Sequence, residues 1–266
     1  MTTIPPTGPT EGPTEGPTEG APESAPDLRG DTVAAAEALR AASQRLVRTV
    51  DALGEEDWGG PSLLPGWTRG HVVAHLALNA EGLAGAVRGV VTGPAAPMYA
   101  SQERRDADIA TLGEADPTVL RERLLGAVTE LADALVALVA RPPALLDATI
   151  ERTPGAPSPF RAGAVAWMRL REVEIHHVDL ARDYSPGAWP TTFTLALLDD
   201  LAGRRATETA VDLVAGDLDR RWRIGAGGPT VSGPAAGLAW WLTGRPPYPG
   251  LDVTSEGGAL PELEGM

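Results

Sequence analysis

The feature that most constrains this 266-residue chain is a run of capped segments with helical apolar spacing between residues 29 and 186. In "DTVAAAEALRAASQRLVRTVDAL", Val33, Leu39, Leu46, Val47, Val50 and Leu53 recur at helical intervals, and Asp31 is placed to cap the first turn. Thr68 holds the same position ahead of "RGHVVAHLALNAEGLAGAVRGVV". "SQERRDADIATL" fits a third, shorter helix, and Asp116-Pro117 opens a fourth in the order in which those residues start helices. A connection follows, with a short extended piece expected around Ala148 to Arg152. "AGAVAWMRLREVEIHHVDLARDY" then closes the set as another long helix. Four or five helices joined by short or moderate links make an antiparallel bundle.

The flanks have a different texture. Residues 1–28 begin with the repeat "GPTEGPTEGPTEG"; with proline, glycine and acidic charge and no large apolar side chains, they read as a disordered acidic tail. Beyond Pro186, helical "TTFTLALLDDLAGRRATET" gives way to strand-like "AVDLVAG", "RRWRIG" and "TVSG", a helix in "PAAGLAWWLTGR" and a last strand in "LDVTS". The expected architecture is mainly α: a four-helix bundle over 29–186 followed by a small α+β domain over 187–266.

A net charge of -14 argues against nucleic acid, because a phosphate backbone has to be met by a basic face. No apolar run reaches the length of a membrane span, and the first thirty residues carry no basic-then-apolar signal, so a cytoplasmic location is expected. The chain has no cysteine, hence no thiolate ligand or nucleophile of its own, and thiol chemistry would need a thiol from outside. All 22 basic side chains are arginine, which removes Schiff-base lysine catalysis.

The four histidines lie in two pairs, His71 with His75 and His176 with His177. At 3.6 residues per turn His71 and His75 share a face, as do Glu172 and His176, while His177 points about 100° away. Spacing alone leaves two readings open: partly buried polar residues satisfied by their neighbours, or a metal site built from facing helices. Two imidazoles and a carboxylate suit zinc and leave a fourth position open, as catalytic sites do. Asp179 is a candidate fourth carboxylate, an acceptor for a ligand imidazole, or an ordinary exposed acid.

Four stretches in order, "LLPGWTRGHVVAHLALNAEGL", "PMYASQERRDADI", "WMRLREVEIHHVDL" and "VSGPAAGLAWWLTGR", resemble the mycothiol-dependent maleylpyruvate isomerases, within the wider group of DinB-like metal-binding bundles. The resemblance runs from about residue 30 to about 245. It implies zinc ligands at His75, Glu172 and His176, with His71 and His177 as neighbours, and a functional arginine at Arg245. Arg105 is a weaker candidate, for anion binding, against the reading of a surface arginine paired with Asp106 or Asp108. Trp240 and Trp241 depart from a family pattern that can be more polar there.

By that resemblance the chain would be a zinc- and mycothiol-dependent cis-trans isomerase turning maleylpyruvate into fumarylpyruvate by thiolate addition, bond rotation and elimination. Its partners would be an anionic small molecule and a low-molecular-weight thiol, with no nucleic acid or membrane, and its state a monomer or small homo-oligomer. A mycothiol S-transferase that conjugates electrophiles is the enzymatic alternative. A non-catalytic metal-binding or sensing bundle is the alternative of another class.

Overall fold

The computed structural model describes residue 1 and residues 26–94 and 96–263. Most of the expected acidic tail therefore lies outside the described residues. Helices α1 (Thr32–Asp51), α2 (Arg69–Thr92), α3 (Gln102–Gly113), α4 (Pro117–Val139) and α5 (Val165–Asp179) occupy the segments read as helical. Their starts follow from local chemistry. Asp31 accepts from the amides of Val33 and Ala34, Thr68 from His71, Ser101 from Arg104 and Asp116 from Thr118, each meeting backbone donors that the first turn leaves unpaired. Asp116 is followed by Pro117 at the first helical position.

In the bundle, α1 packs on α5 and α4, and α2 packs on α4 and α5, while α3 lies against α2. The core is aliphatic, with Leu46, Leu76, Leu83, Leu124, Leu138 and Leu170 all buried. Leu28 is buried as well, so packing begins just ahead of the first helix. The extended piece expected near Ala148 is a strand, β1 (Thr149–Ile150), paired antiparallel with β2 (Phe160–Arg161).

The last helix of the bundle is shorter than the sequence suggested, ending at Asp179 rather than near Tyr184. Ala181 takes a left-handed conformation (φ 53°), which no continuing helix allows. Arg69 holds the turn in place: its Nε donates to the carbonyl of Leu180 at 2.7 Å and its Nη1 to that of Asp57 at 3.1 Å. A cation there also meets the negative end of the helix.

The chain then forms α6 (Thr191–Arg204), β3 (Val211–Ala215), β4 (Arg220–Ile224), β5 (Thr230–Gly233), α7 (Ala235–Leu242) and β6 (Thr254–Ser255). The sheet order is β4-β3-β5-β6, with β3 and β5 parallel and the outer pairs antiparallel. Leu213 lies opposite Trp222 on one side and Val231 on the other. Along β3, Val211, Leu213 and Ala215 are buried in alternation, and α6 and α7 pack against the sheet, the small α+β part that followed the bundle in the sequence reading. Among the described residues, no helix is long and apolar enough to cross a membrane.

One close approach sets up the region discussed next. A Cβ built on Gly70 would sit 2.5 Å from the carbonyl oxygen of Gly113, and one on Gly113 would sit 2.8 Å from the His71 ring. Thus α2 and α3 meet nearly backbone to backbone. Gly70→Ala should lower stability by about 1–3 kcal/mol, the usual cost of overpacking, measured as a lower denaturant midpoint with unchanged slope.

Candidate metal centre

The α2 and α5 helices run antiparallel, so positions on them pair in layers: His75 faces Glu172, and Asn79 faces Arg169 one turn further along. His75 Nε2 lies 3.0 Å from Glu172 Oε2, and His176 Nε2 lies 3.4 Å from the same oxygen. One ligand atom from each of the three residues falls within 4.8 Å of the others. The two imidazoles meet edge to face, with centroids 4.7 Å apart. Trp67 walls the group at 5.7 Å from the His75 ring. His75 is buried, whereas the Glu172 side chain is 30% exposed, so the group opens to the surface on the carboxylate side.

Electrostatics divides the three residues. Burial drives the His75 pKa down to about 4, so the ring is neutral and able to offer a lone pair. Burial also pushes His176 down, but hydrogen bonds to Asp179 and Glu172 outweigh it and hold the ring above its usual value. Glu172 is pushed up by burial and pulled well below the normal carboxylate range by the hydrogen bonds of His176 and His75.

Asp179 is fully buried rather than an exposed acid. Its Oδ2 lies 2.8 Å from His176 Nδ1, and Arg245 grips both oxygens, Nε to Oδ1 at 2.8 Å and Nη2 to Oδ2 at 2.5 Å. Arg245 arrives from the second part of the chain because Gly244, at φ 84°, turns the backbone sharply after α7. Its guanidinium rests 5.2 Å from the Trp240 ring centroid. Arg245 thus touches the centre through Asp179 and His176, and its Nη1 makes no hydrogen bond among the described residues.

Arg105 reaches the same place. Its Nη1 pairs with Asp106 at 2.9 Å, as a surface reading would have it, but its Nη2 lies 3.2 Å from His75 Nδ1 and its side chain is largely buried. His71 stays outside the group: its Nδ1 lies 2.7 Å from the Thr68 hydroxyl, and its ring packs on Gly113. His177 points to the other flank, stacked on Tyr184 at 3.8 Å, with Nε2 2.8 Å from the Thr49 hydroxyl.

Three contributors escaped the sequence reading. Arg69 fixes the end of α5, and with it the positions of His176 and Asp179. Glu174, buried behind the centre, accepts from Arg45 at 2.6 Å and from the Tyr184 hydroxyl at 2.5 Å. Arg169 is buried on the inner face of α5. A charged residue inside an otherwise apolar helical face was the available signal for Glu174 and Arg169.

Known proteins share this architecture. The model of the mycothiol maleylpyruvate isomerase N-terminal domain matches residues 39–181, and that of the corresponding C-terminal domain matches residues 188–264. A crystal structure of a mycothiol-dependent maleylpyruvate isomerase is 28% identical, covering 88% of this chain and 97% of its own, with a TM-score of 0.78. The structure of a histidine-to-alanine mutant of such an isomerase is 27% identical over the same shares, with a TM-score of 0.77. No curated protein matches the chain. The chain therefore belongs to the mycothiol maleylpyruvate isomerase family of enzymes.

Proposed function

We propose that the chain is a zinc- and mycothiol-dependent isomerase that converts maleylpyruvate to fumarylpyruvate, with His75, Glu172 and His176 as the metal ligands and a division between its two parts near Pro186. The observation that carries this reading is the convergence of two imidazole nitrogens and one carboxylate oxygen in a chain without cysteine. The donor set fits zinc: nitrogen and oxygen ligands, one of them braced through its far nitrogen by a buried carboxylate, with no fourth ligand grouped with them among the described residues. Bound there, zinc would lower the pKa of an added thiol, and that thiol would supply the nucleophile whose addition to the conjugated double bond, bond rotation and expulsion exchange cis for trans.

The chain's own residues have definite tasks in this scheme. Asp179 fixes the His176 ring with Nδ1 turned away from the ligand position, leaving Nε2 to coordinate. Arg245 keeps Asp179 ionised and in place, and its Nη1 remains for a substrate carboxylate or for the enolate oxygen that develops on addition. For His75 Nε2 to serve a cation, the ring proton has to sit on Nδ1, where Arg105 Nη2 cannot donate. Arg105 is then free to turn to an anion, which gives a buried arginine of α3 a role in holding the substrate.

The direct test is turnover of maleylpyruvate by the purified protein with mycothiol, with and without a chelator. Turnover that needs the thiol and is lost on chelation is expected; a zinc-loaded protein that leaves maleylpyruvate unchanged but conjugates other electrophiles would replace the isomerase with an S-transferase.

His75→Ala should lose both zinc and turnover. Arg245→Ala should keep zinc and lose turnover by about a hundredfold, the scale of one missing donor to a developing oxyanion. It should also lower the melting temperature, because Asp179 is left buried without its cation. Metal content and kcat, measured on both variants, separate the two roles.

Because hydrogen bonds to Asp179 and Glu172 raise the His176 pKa above its ordinary value, zinc has to compete with a proton for that ring. Zinc binding should release protons, seen as a buffer-dependent calorimetric enthalpy, and should weaken as the pH falls.

A further inference from the structure

A cavity of about 680 Å3 opens between α1 and α4, away from the metal ligands and within the size range of small-molecule sites. Its walls are aliphatic: Val33 and Leu39 from α1, and Leu125, Leu135, Val136 and Val139 from α4. Val33, Leu125 and Val136 are each more than half exposed, an unusual concentration of bare aliphatic side chains on a chain this acidic. One lining residue comes from neither helix. Arg169 extends from α5 across the bundle interior to the groove and is only 1% exposed.

Arg169 is incompletely partnered. Its Nη1 donates to Asn79 Oδ1 at 2.8 Å, but its Nη2 is buried with no hydrogen bond, and no carboxylate among the described residues forms an ion pair with it. Burial lowers its pKa to about 10 against the opposing pull of the Glu172 carboxylate, which still leaves it a cation at neutral pH, with the Nη2 donor unmet. A buried cation with a free donor is costly unless an anion meets it.

From this juxtaposition we infer that the α1/α4 groove is a second binding site, for an amphipathic monocarboxylate, with the acyl chain along the aliphatic walls and the carboxylate on Arg169. A protein partner fits less well. The groove rim carries charges of both signs, Glu37 and Asp133 with Arg40 and Arg48, so among the lining residues the charge with an unmet donor is the buried Arg169, which suits a slender head group better than the side of a packed helix.

The test is calorimetric titration of the full zinc-loaded chain with decanoate, below its micellar concentration, with decanol as the neutral control. Saturable decanoate binding with a negative heat-capacity change is expected, with decanol weaker by about tenfold or more, the loss expected for a missing charge-assisted hydrogen bond. Arg169→Met should weaken decanoate to the level of decanol, and Val136→Glu, at an exposed wall position, should weaken it without disturbing the core. His75→Ala should bind decanoate as the parent does. Binding that vanishes in His75→Ala would place the carboxylate at the metal centre and overturn the inference. Equal binding by Arg169→Met, no saturable binding, or decanoate acting only by splitting a dimer detected in sedimentation would each overturn it as well. None of these outcomes depends on isomerase turnover, so the inference can fail while the proposed function stands.

Discussion

The carboxylate of Asp179 is the point on which the arrangement depends. It is fully buried, it meets His176 on one side, and it receives two hydrogen bonds from Arg245 on the other. A buried carboxylate is tolerable only when its lone pairs are met by donors, and here the donors come from both parts of the chain. Burial pushes Asp179 toward protonation, but His176 and Arg245 reverse the balance and hold it below the usual carboxylate range. Removing Arg245 therefore leaves Asp179 to the His176 ring alone and loosens the packing of the second part on the bundle. The link is reinforced nearby, where the Trp189 indole donates to the carbonyl of Glu174 and Arg171 pairs with Asp200.

Below that point, α5 carries polar groups on three of its flanks. Glu172 and His176 face α2, Glu174 and His177 face α1 and Tyr184, and Arg169 enters the bundle interior. A helix so loaded is weakly amphipathic, and its position is set by hydrogen bonds as much as by apolar contact. Arg69 at its end and Arg45 at its side serve this purpose. Glu172 and His176, two of the three candidate ligands, thus stand on a helix fixed from several directions, which a site that must hold ring orientation needs.

Much of this was legible in the sequence, and for identifiable reasons. Helix starts at Thr32, Arg69 and Pro117 follow from side-chain caps one residue upstream, a signal written in adjacent positions. The i,i+4 pairing of Glu172 with His176 is equally local. The end of α5 was not legible, because it depends on Arg69, 111 residues away from the carbonyl it holds. Asp179 could be weighed as an acceptor but not distinguished from a surface acid, since its burial depends on the part of the chain that delivers Arg245. The same holds for Arg105, whose pairing with Asp106 is local and whose approach to His75 requires the glycine contact between α2 and α3.

Of the two tryptophans that depart from the family pattern, Trp240 finds its reason in the same linkage. Trp240 and Trp241 are both buried; Trp240 packs against Trp189 and Tyr248, donates from its indole nitrogen to the carbonyl of Pro246, and lays its ring beside the Arg245 guanidinium. A flexible arginine loses side-chain entropy when it is fixed on a carboxylate. An aromatic face that already restricts the guanidinium, together with the left-handed turn at Gly244, places much of that ordering in the fold itself. Smaller or more polar side chains at 240 would leave the bidentate contact to Asp179 possible but less populated. The apolar character of this segment is therefore part of how the second half of the chain holds Arg245 at the centre.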